Sequence, residues 1–228
     1  MTEFFRFPHT PHLAWLGPGT PREDKVLDSK EAHTFLAVGV VVEEKVDGAN
    51  LGFSVDANGT LRAQNRGSYL DLNAPTGQWK PLKRWLAVHE HALVEALDSD
   101  LMLFGEWCYA VHSVRYTQLP DWFLAFDVYD QASREFWNVD RRNALAGRLG
   151  IATVPELGRG RFNLNSIERL LGRSHLTEGP AEGLYVRREA QGHLVERAKL
   201  VRAEFVQAIG EHWSKRRLEA NQVVRRES

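Results

Sequence analysis

The chain has 228 residues, 43% of them hydrophobic and 26% charged, which is the composition of a globular protein long enough to bury a sizeable core. Its 29 Lys and Arg residues nearly balance its 30 Asp and Glu residues, and the net charge of −1 excludes a global basic field that would attract nucleic acid. Any polyanion must therefore be held by a local cluster of cations. The single cysteine, Cys108, excludes an internal disulfide and a multi-cysteine metal cage and favours a reducing compartment.

Residues 1–30 are rich in aromatic rings and proline, and we expect them to pack against the core because so much ring surface is costly to expose to water. The stretch 17–20, Gly-Pro-Gly-Thr, lacks the ending of a phosphate-binding loop and predicts a turn. Packing or solvation explains His9 and His12 better than ligand binding does. The chain start lacks the features of a signal peptide, and no run of about 18 apolar residues occurs, so we predict a cytoplasmic protein without a membrane span.

Residues 40–50 contain a lysine at the point where an apolar run ends and a polar turn begins. The run at 38–42 is almost entirely valine and predicts a strand buried on both faces, which Asp47 and Gly48 end. Partial desolvation at the lip of such a strand lowers the pKa of an amine, so Lys45 is a candidate covalent nucleophile. Lys-x-Asp-Gly occurs by chance in about one such chain in twenty. A solvated lysine beside a turn is therefore the alternative.

A predicted hairpin follows the lysine turn. Residues 51–55 alternate apolar and polar, 56–59 form a turn that ends in glycine, and 60–65 return. This return brings Arg66 beside the lysine turn, where it could meet a phosphate, with an exposed strand-end arginine as the alternative. Pro81 then opens a predicted amphipathic helix, whose apolar stripe is typical of core packing and consists of Leu82, Trp85, Leu86, Leu93 and Leu97.

Two further apolar strands each carry a candidate site residue. The strand at 101–107 ends near Glu106, whose carboxylate is costly to bury unless a cation, hydroxyl or metal pairs with it; a structural ion pair is the alternative. The strand at 123–129 contains Phe126, which could stack on a base, although strand aromatics more often belong to the core. Cys108 and His112 lack the third group that a nucleophile and base pair needs.

The C-terminal half repeats the pattern of a carboxylate followed by glycine and a strand, at Glu182 and Gly183. In the last predicted strand Arg197 and Lys199 are two residues apart and point to the same face. Two adjacent cations repel unless an anion separates them, so this face suits a phosphate, with a solvated strand face as the alternative.

Three helices are predicted in this half. Asn138 caps one over 141–149 that Gly150 ends, and Asn165 begins a short second helix. The third runs from Ala203 to the basic cluster at 215–217, which is a solvated helix end rather than a nucleic-acid contact in the simpler interpretation.

Taken in order, these features resemble the motif set of the covalent nucleotidyltransferases, which comprise ATP-dependent RNA and DNA ligases and mRNA capping enzymes. The resemblance spans about residues 40–205 and is closest to the RNA ligase branch, because a glutamate precedes the lysine and an asparagine follows the glycine. The matching residues are Lys45-Val46-Asp47-Gly48, Arg66, Phe104-Gly105-Glu106, Phe126, Glu182-Gly183 and Arg197-Ala198-Lys199, with Glu44 and Asn50 as the branch-specific pair.

The resemblance implies an α+β nucleotidyltransferase fold, the ATP-grasp-like adenylation domain of ligases, with antiparallel sheets flanked by helices and the nucleotide pocket between the sheets. It implies ATP as the AMP donor, Mg²⁺ or Mn²⁺ as the metal, and RNA with 5′-phosphate and 3′-hydroxyl ends as the substrate, in RNA repair. An end-healing kinase or phosphatase is a candidate partner.

The resemblance also implies a role for each matched residue. Lys45 would attack the α-phosphate of ATP and hold AMP, which then passes to an RNA 5′-phosphate before a 3′-hydroxyl displaces it. The other roles are Lys199 and Arg197 on the phosphoryl oxygens, Glu182 on the metal, Glu106 on the ribose hydroxyls, Glu44 on the adenine edge, Phe126 on the adenine face, Arg66 on a phosphate and Asn50 in the nucleotide site.

Two departures from the family pattern limit these expectations. Arg197 stands where the family usually has a lysine, so a compact charge becomes a planar fork. Only 23 residues follow Phe205, so we predict one domain over residues 1–228, with a motif core at about 40–205, a C-terminal helix and tail at 206–228 and no OB-fold. The alternative functions are a DNA-end or nick ligase, an end-adenylylating or capping nucleotidyltransferase, and a non-catalytic nucleotide- or RNA-binding module.

Overall fold

The computed structural model describes residues 4–19, 25–208 and 218–224. Within these ranges two antiparallel sheets with flanking helices confirm the predicted α+β architecture. The strands are β1 (Val40–Lys45), β2 (Ala49–Val55), β3 (Leu61–Gln64), β4 (Leu101–Trp107), β5 (Phe123–Asp130), β6 (Glu135–Phe136), β7 (Glu156–Gly160), β8 (Gly183–Ala190) and β9 (His193–Val201).

Five α-helices accompany these strands in the described residues. They are α1 (Ser29–Ala37), α2 (Leu82–Leu97), α3 (Val139–Arg148), α4 (Leu164–Glu168) and α5 (Ala203–Ala208), with short 3-10 turns at Gly77–Trp79 and Arg169–Leu171. In the described parts of the chain, none of these helices combines the length and the apolar character needed to cross a membrane.

The turn after Lys45 is where the chain passes from one sheet to the other. The four-stranded sheet has the order β7-β1-β8-β9, and the five-stranded sheet has the order β3-β2-β4-β5-β6. Because β1 belongs to the first and β2 to the second, residues 46–48 join the two sheets. The predicted nucleophile therefore lies at the boundary between the sheets.

Each sheet has its own apolar core. The amphipathic helix α2 packs on the five-stranded sheet, where the rings of Trp85 and Phe53 stack with centroids 5.5 Å apart. Helix α1 packs on the four-stranded sheet, where its Phe35 joins the buried Val42 and Leu200. Full burial of such side chains stabilises the fold by about 1.5–3 kcal/mol each, so both sheets are held rigidly beside the junction.

The expectation that the aromatic N-terminal segment packs against the core is confirmed. The ring of Phe5 stacks on Tyr129 with centroids 4.1 Å apart, and Phe7 is only 4% exposed beside Phe104. Residues 17–19 form a bend, as the predicted turn requires, whereas Thr20 lies outside the described residues.

Three predicted element boundaries were wrong or incomplete. Strand β1 begins at Val40 rather than Val38, which is the C-cap of α1 and is 40% exposed. Helix α4 is capped by Asn163 rather than Asn165, because the Asn163 side chain accepts from the Ser166 N–H in a capping box. Asn138 caps α3 as predicted, although the helix begins directly after it. The basic cluster at 215–217 lies outside the described residues.

Candidate active site

A cavity of about 390 Å³ opens between the two sheets at the end of β1. Both sheets and the N-terminal segment contribute to its wall, which matches the predicted position of a nucleotide pocket. Two of the nine predicted site residues, Glu182 and Arg197, lie outside the set that lines this wall. The structure brings the other seven together on it, namely Glu44, Lys45, Asn50, Arg66, Glu106, Phe126 and Lys199.

The amine of Lys45 is held by the carboxylate of Glu182. Its Nζ lies 2.7 Å from both carboxylate oxygens, because β1 and β8 pair with Lys45 opposite Gly183. Burial lowers the pKa of Lys45, but the charges of Glu182 and Glu106 outweigh burial, so the pKa lies above its usual value. The expectation that burial leaves Lys45 with a lowered pKa is therefore wrong, because the carboxylate of Glu182, which lies 137 residues further along the chain, pairs with the amine.

Close backbone approach explains two glycines of the motifs. A Cβ on Gly48 would lie 2.7 Å from the carbonyl oxygen of Trp107 and 2.9 Å from Cγ of Glu106. A Cβ on Gly183 would lie 2.3 Å from the carbonyl oxygen of Leu200. Only a residue without a side chain fits at these places, so Gly48 lets the lysine turn approach β4 and Gly183 lets the start of β8, directly after Glu182, approach β9.

Glu106 is a proton-holding carboxyl on the cavity wall. Burial raises its pKa to about 8; the charge of Lys45 opposes this rise, and those of Glu182 and Asp47 add to it. A minor part of the Glu106 side chain is exposed to the cavity, but the rest is buried, so desolvation still raises its pKa. Near neutral pH Glu106 can therefore donate a hydrogen bond as well as accept one.

Glu106 should make the protein less stable as the pH rises from about 5 to 8, and Glu106→Gln should remove this contribution. In this window the folded state keeps a proton on Glu106 that the unfolded chain releases above its ordinary pKa of 4.5, so raising the pH favours unfolding. Urea unfolding between pH 5 and 8.5 measures the slope. Glu31→Gln is the control, because the pKa of exposed Glu31 is lowered and acts below this window. Equal slopes in the wild type and Glu106→Gln would contradict the assignment.

The aspartate of the lysine turn fixes a neighbouring loop. Oδ2 of Asp47 accepts from the backbone N–H groups of Ser113 (2.6 Å) and Val114 (2.7 Å), and the Asp47 N–H donates to the Tyr116 hydroxyl at 2.8 Å. These bonds hold the loop after β4 against the lysine turn. No sequence pattern pointed to Tyr116, which comes 69 residues after Asp47.

Arg66 and Glu44 differ in how free their side chains are. Arg66 is exposed where the cavity meets solvent, within a turn in which Asn65 Oδ1 accepts from the Gly67 N–H at 2.8 Å. The carboxylate of Glu44 is already bound, because it accepts from Ser174 Oγ at 2.5 Å and from the His175 N–H at 2.8 Å. A contact from this carboxylate to an adenine edge would have to compete with those two donors.

A family model described as RNA ligase matches residues 39–201, which is more than half of the chain and contains all nine predicted site residues. The chain belongs to the RNA ligase family. This membership agrees with the resemblance seen in the sequence. It also agrees with the position of seven of the nine predicted site residues on one cavity wall.

Solved structures of one RNA ligase have the same fold as this RNA ligase family chain. Naegleria gruberi RNA ligase with pyrophosphate is 20% identical at a TM-score of 0.59, covering 77% of this chain and 52% of that chain. A variant with ATP and Mn is 17% identical at a TM-score of 0.63, covering 91% and 59%. Another with AMP and Mn is 16% identical at a TM-score of 0.64, covering 92% and 59%. The chain thus spans little more than half of their length. No curated protein matches this sequence.

Behind the cavity of this RNA ligase family domain lies a buried charge network that sequence reasoning missed. Glu43 Oε1 accepts from Arg142 at 2.6 Å, and Asp127 Oδ1 accepts from Arg187 at 2.6 Å, with all four side chains almost fully buried. Arg197 donates to the second oxygen of Asp127 at 3.0 Å. The network joins strands of both sheets to α3. The sequence signal that could have revealed it is a set of charged residues at strand and helix positions that otherwise face the core.

The network explains why Arg197 and Lys199 differ although they share a strand face. The anion beside Arg197 is Asp127 of the protein itself, and the Arg197 guanidinium also stacks over the Phe136 ring at 4.1 Å. Lys199 instead lines the cavity, and its charge, with that of Lys45, opposes the effect of burial that raises the pKa of Glu182. Lys199 thus faces the cavity, whereas Arg197 is not among the residues that line it.

Proposed function

We propose that the protein is an ATP-dependent RNA ligase that works through a covalent lysyl-AMP intermediate. The observation that carries this proposal is the partly buried Lys45 amine in a cavity between two sheets, held by Glu182, with Glu106 and Lys199 on the same cavity wall. Membership of the RNA ligase family supports it. The similar Naegleria structures contain ATP, AMP, Mn or pyrophosphate, which are the participants that such a first step would have.

The first step transfers AMP to the protein. The Lys45 amine gives up a proton and attacks the α-phosphorus of ATP, so an N–P bond forms while the bond from that phosphorus to the bridging oxygen breaks and pyrophosphate leaves. An RNA 5′-phosphate oxygen then attacks the same phosphorus, and the N–P bond breaks. Finally an RNA 3′-hydroxyl attacks the 5′-phosphate, loses its proton and releases AMP as the strand is sealed.

The residues present fit a divalent cation that arrives with the nucleotide. In the described ranges no group of three or more His, Cys, Asp or Glu side chains could enclose a metal. Glu182 offers one carboxylate, and Mg²⁺ commonly binds through one or two carboxylates, substrate phosphates and water. Glu182 would hold the ion, which supplies positive charge to the phosphoryl oxygens. A cation that neutralises Glu182 also lowers the pKa of Lys45, which increases the fraction of Lys45 in the reactive neutral form.

Other chain residues orient the nucleotide and stabilise developing charge. Phe126 offers a ring face on the wall for the adenine, and Glu106 offers a carboxyl for the ribose hydroxyls. Lys199 supplies a cation for the phosphoryl oxygens, while Arg66 meets a phosphate of AMP or of the RNA end. Arg197 has no such role in this proposal, because it is paired with Asp127 at 3.0 Å and is not among the residues that line the cavity.

The test is to mix the protein with Mg²⁺ and ATP labelled at the α-phosphate and to look for acid-labile label on the chain. We expect label, followed by joining of RNA that carries 5′-phosphate and 3′-hydroxyl ends. Label without joining would favour an end-adenylylating or capping enzyme, and joining of DNA alone would favour a DNA ligase. ATP binding without label would favour a non-catalytic binding module. Action in RNA repair, cytoplasmic location and an end-healing partner belong to this proposal.

Glu182→Gln should raise the Mg²⁺ concentration needed for half-maximal labelling and lower the rate at limiting Mg²⁺ by about 100-fold, since an amide is a poorer ligand for a hard cation. It should also move the pH profile of labelling to lower pH, because the anion that raises the Lys45 pKa is gone. Labelling rates over a Mg²⁺ titration measure the effect. Glu178→Gln, an exposed carboxylate four residues earlier, is the matched control. An unchanged Mg²⁺ dependence in Glu182→Gln would refute the metal role.

A further inference from the structure

An N-terminal strap, residues 4–13, crosses the cavity from one sheet to the other. On the side of the five-stranded sheet, Gln64 Nε2 donates to the backbone carbonyl of Phe5 at 2.7 Å. On the side of the four-stranded sheet, the Lys199 N–H donates to the Pro11 carbonyl at 2.9 Å, and the Leu13 N–H donates to the Lys199 carbonyl at 2.7 Å. The strap is thus fixed at both ends, and its second anchor is the backbone of a predicted nucleotide-binding residue.

Two strap side chains, Phe7 and Thr10, form part of the cavity wall. They are only 4% and 6% exposed, so their place on the wall is built into the fold. The Phe7 ring lies 5.4 Å from the Phe126 ring at an interplanar angle of 73°. Two rings at this angle form a corner. A flat base that stacks on the face of Phe126 would direct its edge towards Phe7.

Thr10 lies at the level of Lys199 along the cavity. Thr10 and the phenol of Tyr185 both line the cavity, and Tyr185 pairs with Lys199 across β8 and β9. Burial raises the pKa of this phenol, and the charge of Arg197 and a side-chain hydrogen bond from Thr10 oppose the rise only in part. The Tyr185 hydroxyl accepts from Arg197 at 3.1 Å and keeps its own proton to donate, so two neutral hydroxyl groups share the cavity wall with Lys199 and can hydrogen-bond to sugar oxygens.

We propose that Phe7 and Thr10 contact the bound nucleotide, and that the strap sets how tightly the cavity holds ATP. Phe7 closes the apolar end beside the base, and Thr10 supplies a hydroxyl to the ribose-phosphate part. The strap precedes residues 39–201, so these contacts lie outside the segment that the family model matches. This inference rests on the proposed function in one respect, namely that the cavity binds ATP.

The test compares Thr10→Val, which removes one hydroxyl at nearly constant volume, with Thr10→Ser, which keeps it. The concentration of ATP that half-saturates labelling should rise about fivefold in Thr10→Val and stay within about twofold of wild type in Thr10→Ser. Phe7→Leu should raise it about fivefold to tenfold. Phe5→Leu, a strap ring outside the cavity wall, is the control and should leave it unchanged. Equilibrium dialysis of labelled ATP with each change in a Lys45→Arg chain gives affinity without chemistry.

The outcomes separate the strap from the proposed function. A wild type that binds ATP but takes no label would overturn the catalytic proposal and leave the strap testable by dialysis alone. A wild type that binds no ATP would overturn both. Wild-type ATP dependence in Thr10→Val and Phe7→Leu, including the case of a lowered Tm with unchanged ATP affinity, would make the strap a purely structural element and overturn this inference.

Discussion

Lys45→Arg should abolish AMP labelling and leave the fold intact. The guanidinium keeps the positive charge that pairs with Glu182 at 2.7 Å, so no buried carboxylate is left alone. It cannot lose a proton at accessible pH and therefore has no lone pair for the α-phosphorus. Loss of a covalent nucleophile costs roughly 10⁴-fold or more in rate. The measurement is label bound per minute, with thermal unfolding as the check on the fold.

Lys25→Arg is the matched control for this experiment. Lys25 also pairs with a glutamate, Glu31, at 2.7 Å, but the pair is exposed and far from the cavity wall. This variant should be labelled at the wild-type rate. Label that persists in Lys45→Arg, or that maps to another residue in the wild type, would show that a different group forms the covalent bond.

Arg142→Met should lower the free energy of unfolding by about 3–5 kcal/mol. The change removes the cation that donates to Glu43 at 2.6 Å and leaves a fully buried carboxylate without its main partner. It also removes a 2.7 Å hydrogen bond to the backbone carbonyl of Phe126, which Arg187 alone would then hold at 3.2 Å. Urea denaturation measures the change.

Two further variants separate the buried pair from a general effect on α3. Arg148→Met replaces an exposed arginine of the same helix and should cost no more than about 1 kcal/mol. Glu43→Gln combined with Arg142→Met should be more stable than the sum of the single changes predicts, because the unpaired charge is gone. Strict additivity would mean that Glu43 and Arg142 do not act as a pair.

Local sequence patterns determined the elements that carry the site. The apolar stripe on α2, the alternation in β2 and the valine run of β1 each arise from contacts within a few residues, so their period identifies them. The errors in these elements were small and also local. Asn163 rather than Asn165 caps α4 because the side chain of Ser166, not Glu168, completes the capping box.

The order of motifs also identified the family correctly. Seven of the nine residues that the motifs assigned to the site lie on one cavity wall. Their mutual geometry did not follow from that order. No short-range pattern reveals that Glu182 pairs with Lys45 or that Asp127 pairs with Arg197. Nor does one reveal that residues 4–13 contribute to the cavity wall. Each of these pairings joins residues that are distant along the chain.

The physical reason is that periodicity reports which face of a strand or helix is buried, whereas charge pairing depends on which strands lie side by side. The sequence by itself determined the two-layer α+β architecture, the lysine turn and the family. Tertiary structure alone decided the protonation of Lys45, since pairing β1 with β8 sets a carboxylate beside the amine and raises a pKa that burial on its own would lower.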